Sequence, residues 1–314
     1  MTRTESAVTI GQRQEPSIVV LGATASGKSD VAMAVAAATP GIRIVAADAM
    51  QVYRGMDIGT AKPSADDRAR VVHHCLDLVD AHERHTVADW SNALATARRE
   101  IAVAGDRAIL VGGTGLYVTA AVDGLDLAGE WPVIRADLEA EPDTASLHRR
   151  LSGIDPDAAA RIEPSNRRRI VRALEVCLGS GAKFSSFGDG VDSYPATSMR
   201  LMGIRWDRTR LRGRIAVRVH RMVASGLVDE VASLLAAPGG LSRTARQALG
   251  YKEIIDHLEG RCDLAAAIDA VILRTGQFAV RQERWYRRDP RIEWVDVVDD
   301  PVDEIAPIVM RALA

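Results

Sequence analysis

The chain has 314 residues, 47% of them hydrophobic, 26% charged and only 4% aromatic, enough for a mostly aliphatic core in one large domain or two smaller ones. Its net charge of -2 hides an uneven distribution. Residues 161–221 carry 14 Lys/Arg against 5 Asp/Glu, whereas 1–160 carry 15 against 22 and 222–314 carry 11 against 15, so a local anion-binding face is expected within an acidic whole. Three separated cysteines with no Cys-x-x-Cys pair exclude a disulfide framework and a standard zinc cluster. A polar opening of fifteen residues and the lack of any long apolar run predict a soluble, cytoplasmic chain with no leader segment.

In chain order, 17–22 reads as a buried strand, 28–38 as a helix and 43–48 as a second strand. A weaker strand is predicted at 75–79, a helix over 86–103 and a clear strand at 108–114. The stretch from 124 to 195 is different: rich in Pro, Asp, Ala and Arg, with capping-type starts at Asp155-Pro156 and at Pro164-Ser165-Asn166, and without a convincing strand. It predicts a small helical insertion leaving through the Gly/Ser-rich loop 180–194. Strands then return at 199–206 and 291–295, with long helical patterns at 208–235 and 264–287. Alternating strands and helices argue for an α/β fold, a parallel sheet with helices on both faces. The expected domains are a discontinuous core, 16–124 and 198–314, and an all-helical insertion, 125–197.

Gly22, Ala23, Thr24, Ala25, Ser26, Gly27, Lys28 and Ser29 match the P-loop pattern in full, directly after a strand and at the head of a helix. The glycines let backbone N–H groups curl around an anion, and the helix N-terminus adds partial positive charge. Lys28 supplies a point charge to the terminal phosphate, and the Ser29 hydroxyl is placed to ligate Mg²⁺. The loop predicts a di- or triphosphate ligand without choosing between them. Asp48 ends an apolar strand, where open parallel sheets place ligand-binding groups. Three readings stand there: a carboxylate for Mg²⁺, a general base, or a cap for the turn at Ala49-Met50.

The run Asp48-Ala49-Met50-Gln51-Val52-Tyr53, continuing to Gly59-Thr60-Ala61-Lys62-Pro63, closely resembles the tRNA dimethylallyltransferase (isopentenyl-tRNA transferase) family when taken with the P-loop. Val111-Gly-Gly-Thr114-Gly-Leu-Tyr117 resembles that family's second glycine motif. Arg168-Arg169-Ile-Val-Arg172 resembles its arginine helix, and Gly250-Tyr251-Lys252-Glu253 a later turn. The resemblance spans roughly 17–295. It implies a P-loop kinase-like core whose phosphate loop holds the diphosphate of a prenyl donor, with no ATP consumed. The implied reaction is attack by N6 of the adenosine immediately 3′ of the anticodon (tRNA position 37) on dimethylallyl diphosphate.

By the same resemblance Asp48 is the general base and Arg218 the catalytic arginine on the diphosphate, with Lys28, Ser29 and Mg²⁺ opposite. Arg214, Arg218 and Arg221 share one helical face, in a run of seven Arg against one Asp between 205 and 221, which suits an anion face better than a solvated one. Asp48, Ala49, Met50, Gln51 and Thr114 are expected at the flipped adenine. Arg135, Arg168, Arg169 and Arg172 are expected on the anticodon-arm phosphates; for the cluster Arg168, Arg169 and Arg172 the alternative is helix salt bridges with Glu163 and Glu175.

The His73-His74-Cys75 run with His82 and His85 fits no standard zinc spacing. Trp285-Tyr286 among arginines reads equally as an RNA patch or as inward packing. The zinc-finger extension of eukaryotic relatives is expected to be missing. Partners are tRNA and the prenyl donor, with no membrane, and the chain is expected to act as a monomer. The main rival is a P-loop kinase using ATP; a non-catalytic RNA-binding module is a third class that leaves the P-loop unexplained.

Overall fold

The computed structural model describes residues 18–125, 128–188 and 190–313. The polar opening 1–15 and the first residue of the predicted strand 17–22 lie outside the described residues. The chain divides into two units, Met1–Val122 with Ala196–Ala314, and Asp123–Pro195.

In the first unit, apolar β-branched runs form the buried strands β1 (Ile18–Gly22), β2 (Ile42–Ala47), β4 (Arg107–Gly112) and β5 (Arg200–Trp206), joined by a two-residue β3 (His73–His74) and by β6 (Ile292–Val297). They make one all-parallel sheet in the order β3-β2-β4-β1-β5-β6, the α/β architecture that the alternation predicted. Helices α1 (Lys28–Ala38) and α13 (Pro301–Leu313) bury Val31, Val35, Ile305 and Val309 against one core cluster with Val20, Ile109 and Met202. Helix α3 (Val87–Ala104) starts at a Thr86–Asp89 capping box and buries Trp90, Leu94 and Ile101. The Trp90 indole donates to the Ala46 carbonyl (3.1 Å) and lies against Tyr117 of α4 (Gly115–Asp123), with ring centroids 4.7 Å apart. A second short helix, α2 (Ala65–Arg70), precedes β3.

Two expected elements differ. The run 75–79 is not a strand of the sheet. Cys75 and Asp77 adopt left-handed φ of 63° and 52°, which breaks extension, and Val79 instead forms an isolated bridge with Tyr53. The long helix expected over 208–235 is two helices, α9 (Arg208–Ala224) and α10 (Leu227–Ala236). Gly226, at φ 100°, turns the chain between them. Helix α11 (Tyr251–Leu258) and the 23-residue α12 (Leu264–Tyr286) follow. No described helix is long and apolar enough to cross a membrane.

The regular elements among the second unit's described residues are all helical: α5 (Pro132–Ala140), α6 (Thr144–Ile154), α7 (Pro156–Arg161) and α8 (Arg167–Ser180), with two short 3₁₀ turns. Its own core is Leu138, Leu147, Leu151, Ile170 and Leu174. Asp155 and Asn166 cap α7 and α8 as their positions predicted. Asp155, fully buried, also accepts from the backbone and hydroxyl of Ser185 (2.7 and 2.8 Å).

Arg135 and Arg172, expected on RNA phosphates, are turned inward. Both pair with the fully buried Glu175, at 2.6 and 3.0 Å. Arg172 also donates to the Ala128 carbonyl (2.6 Å), and the Trp131 N–H to Glu175 (2.8 Å). A buried carboxylate is costly unless paired and hydrogen-bonded, so this core claims the two guanidinium groups first. Arg168 and Arg169 are exposed, with no ion pair among the described residues.

Candidate active site

The P-loop crosses from β1 into α1 and is held from three sides. Gly22 has no room for a side chain: a Cβ there would stand 2.9 Å from the Ile204 carbonyl of β5. Gly27, at φ 91°, would drive a Cβ to 2.3 Å from Pro301 of α13. Ala25 itself sits at a left-handed φ of 62°, which bends its carbonyl toward the Arg214 Nε at 3.0 Å. Arg214 stacks on Trp206 (4.4 Å), and the Trp206 indole donates to the Ser26 carbonyl (2.9 Å). The Ala25 and Ser26 carbonyls are thereby engaged.

An open cleft of about 1590 Å³ lies against the loop, lined among others by Lys28, Ser29, Asp48, Gln51, Arg218 and Arg221. Lys28 Nζ donates to the Ala23 carbonyl (3.3 Å), and Arg218 Nη1 reaches the Thr24 hydroxyl at 3.4 Å. Neither cation is in an ion pair among the described residues. Burial, and then the nearby Arg218 charge, bring the Lys28 ammonium down from 10.5 to about 8. Burial also lowers the Arg218 guanidinium, against the attraction of Asp48 and Asp30. Two desolvated cations side by side, next to helix amides without a protein acceptor among the described residues, suit an anion.

Asp48 stands at the end of β2. Its Oδ1 accepts from the N–H of Met50 (2.8 Å) and of Gln51 (3.4 Å), so the capping reading is correct for that oxygen. Its Oδ2 has no protein partner among the described residues and belongs to a residue lining the cleft. Thr114 accepts from the Ala49 N–H through its hydroxyl (3.0 Å), which fixes the turn and leaves the hydroxyl proton to donate. Gln51 spends its amide nitrogen on the carbonyls of Thr60 and Ala61 (3.1 and 3.3 Å), leaving Oε1 unclaimed.

The loop between Asp48 and Pro63 is buttressed from behind. Lys62, with a side chain 1% exposed, donates to the Tyr53 carbonyl, to Asp57 (2.8 Å) and to Asp77 (2.5 Å). Glu230 of α10 accepts the N–H groups of Asp57, Ile58 and Gly59 (2.9, 2.7 and 3.1 Å) and the Tyr251 hydroxyl (2.5 Å). That gives the Gly250-Tyr251-Lys252-Glu253 turn its purpose: Glu253 caps its own helix at the Gly250 N–H (2.8 Å), and Tyr251 holds the clamp.

Sequence reasoning missed Glu230, Trp206 and Gln282, single polar or aromatic residues inside amphipathic patterns. A carboxylate on the inner face of 227–236 is the only local signal available for any of them. The histidines form no metal site: among the described residues no group of three or more His, Cys, Asp or Glu could hold an ion. Burial pushes the Cys75 thiol up to about 12. Tyr286 packs inward, buried with its hydroxyl 3.4 Å from the Gly112 carbonyl, whereas Trp285 is half-buried over Gly115 with Arg288 over its ring at 4.5 Å.

The sequence profile of the IPP transferase family matches residues 51–289. A tRNA dimethylallyltransferase of Paenarthrobacter aurescens is 44% identical over 308 residues, 96% of this chain and 98% of the relative. Another, from Streptomyces coelicolor, is 46% identical, covering 88% and 89%. Among solved structures, the full-length tRNA isopentenylpyrophosphate transferase of Bacillus halodurans aligns with a TM-score of 0.67 at 35% identity, over 96% of this chain and 97% of that one. A eukaryotic dimethylallyltransferase acting on tRNA aligns at 0.78 over 94% and 78%, and at 23% identity it speaks for the fold alone.

Proposed function

The chain belongs to the IPP transferase family, and on that premise we propose that it transfers a dimethylallyl group from dimethylallyl diphosphate to N6 of the adenosine 3′-adjacent to the anticodon, releasing diphosphate. The observation that carries this reading is the pair of half-buried, unpaired cations, Lys28 and Arg218, beside a carboxylate with one free oxygen. Negative charge develops on the leaving diphosphate as the allylic C–O bond breaks, and Lys28, Arg218 and the loop amides are placed to receive it. The adenine amine is a weak nucleophile because its lone pair is delocalised. Asp48 Oδ2 accepts a hydrogen bond from N6–H and takes the proton as the C–N bond forms, while the contacts of Oδ1 keep the carboxylate from swinging away.

The site suits Mg²⁺. The Ser29 hydroxyl is exposed at the head of α1, and Asp30 also lines the cleft. A small set of hard oxygen donors fits an ion that keeps several waters and takes its other ligands from the substrate phosphates. When bound, it neutralises charge on the diphosphate. Exposed Arg168 and Arg169 of the helical unit are the residues for tRNA backbone phosphates, and Gln51 Oε1 and the Thr114 hydroxyl proton are available to the flipped base. The protein works as a cytoplasmic monomer.

The kinase alternative shares the P-loop but not the family. One assay separates them: Mg²⁺, labelled dimethylallyl diphosphate and tRNA lacking the modification, with a parallel ATP arm. Label in the RNA is expected. ATP turnover without label, or tRNA binding with neither, overturns the proposal.

A further inference from the structure

The amides of the P-loop are not all open to an anion. The Ser26 N–H is taken by the Ala23 carbonyl (3.2 Å), and the Thr24 N–H by the side chain of Gln282 (2.8 Å). Those of Ala25, Gly27, Lys28 and Ser29 have no protein acceptor among the described residues. Gln282 comes from α12, 258 residues along the chain, and is 7% exposed. Its other amide atom, Nε2, donates to the Gly113 carbonyl (2.6 Å). One buried side chain thus bridges the first glycine loop to the second.

The chemistry of that bridge is directional. It needs an acceptor for an N–H on one side and a donor for a carbonyl on the other, which an amide supplies and a carboxylate or an apolar group does not. Space is equally exacting: a Cβ on Gly113 would stand 2.7 Å from Gln282 Nε2. The same helix contributes Tyr286 to the Gly112 carbonyl and Trp285 over Gly115, so α12 grips the second glycine motif at three points. The residue that Gln282 anchors, Thr24, is the one whose hydroxyl meets Arg218.

We infer that Gln282 is a positioning residue for the transfer reaction: by fixing the Thr24 backbone it sets the hydroxyl that holds Arg218 at the diphosphate site, and it withdraws the Thr24 N–H from the anion. The inference rests on the function proposed above. Gln282 spends both its amide oxygen and its amide nitrogen on the two glycine loops, and its effect runs through Thr24.

The test is a double-mutant cycle in steady-state prenylation, with Gln282→Met (similar shape, no hydrogen bonds) and Thr24→Val (no hydroxyl), alone and together. Melting temperature and the KM for tRNA are measured alongside. Gln282→Met is expected to lower kcat about 10- to 100-fold with the KM for tRNA unchanged. In the Thr24→Val background the same substitution should cost less than about threefold, because the path through the hydroxyl is already cut. Equal losses in both backgrounds, or a loss that tracks the fraction unfolded, overturn the inference. Gln282→Asn, which keeps the amide but shortens its reach, runs the same cycle where the Met variant does not fold. A wild-type protein that prenylates no tRNA would instead sink the function beneath it.

Discussion

Lys28 makes the anion site sensitive to pH in a way that can be worked through. Its pKa falls from 10.5 to about 8, first by burial and then by the Arg218 charge. The shift disfavours the charged form, so in the ligand-free protein it costs stability, about 3 kcal/mol at one kcal-scale step per unit. That cost is fully present below pH 8 and fades as the pH rises toward the unfolded value. A bound diphosphate reverses the imbalance by giving the ammonium its counter-charge. Binding of dimethylallyl diphosphate without tRNA should therefore take up about 0.1 proton at pH 7, about 0.5 at pH 8 and about 0.9 at pH 9. Affinity should weaken about tenfold between pH 7 and pH 9. Isothermal calorimetry in buffers of different ionisation enthalpy reads the uptake directly, and the donor's own terminal phosphoryl group, titrating near about 6, is already ionised there. Lys28→Arg, permanently charged, should show almost none of it. Uptake that stays flat across the window, or persists in the Arg variant, refutes the assignment of the low pKa to Lys28.

Asp48→Asn keeps the oxygen that caps the turn but cannot take a proton, so turnover should fall by about 10²- to 10⁴-fold with tRNA binding and melting temperature retained. Asp48→Ala should additionally lose about 1 kcal/mol of stability with the cap, and equal loss of tRNA binding and turnover in the Asn variant would make Asp48 structural. Arg218→Gln should cost on the order of 10²- to 10³-fold in kcat under single-turnover conditions; a change confined to the KM for tRNA would move Arg218 out of the reaction. Glu175→Ala leaves Arg135 and Arg172 facing each other inside the helical unit and should destabilise it by about 3–5 kcal/mol in urea titration. Burial works against the Glu175 carboxylate, yet Arg135, the Trp131 N–H and Arg172 together hold it below its ordinary range. Its stabilising share is therefore present above the ordinary carboxylate pKa and lost as pH falls through the lowered one. An acid transition identical in Glu175→Gln would contradict that.

The parts of this protein that could be read from sequence are those whose partners lie nearby. The P-loop, α1 and the capping residues Asp155 and Asn166 announce themselves within a few residues. The arginines of α9 were legible as one face, and Arg214 and Arg218 do meet the phosphate loop. Arg135 and Arg172 pair with Glu175, and neither helix pattern could show beforehand that this carboxylate is buried. The strand expected at 75–79 failed through two left-handed residues that no propensity marks. Gln282 was invisible for a different reason: its partners Thr24 and Gly113 are 258 and 169 residues away, and a lone glutamine in a basic helix has no signature of its own.

The strand order has a consequence during synthesis. β1 lies between β4 and β5, and the whole helical unit is threaded between those two in the chain. A nascent polypeptide can therefore pair only one side of its innermost strand until Arg200–Trp206 has left the ribosome. For that interval an apolar edge stands open to any other extended segment. The helical unit, with its self-contained apolar centre, has by then been translated in full and is able to collapse by itself. Holdase chaperones should accordingly associate most with ribosome-arrested chains ending between β4 and β5, and release them once β5 has docked.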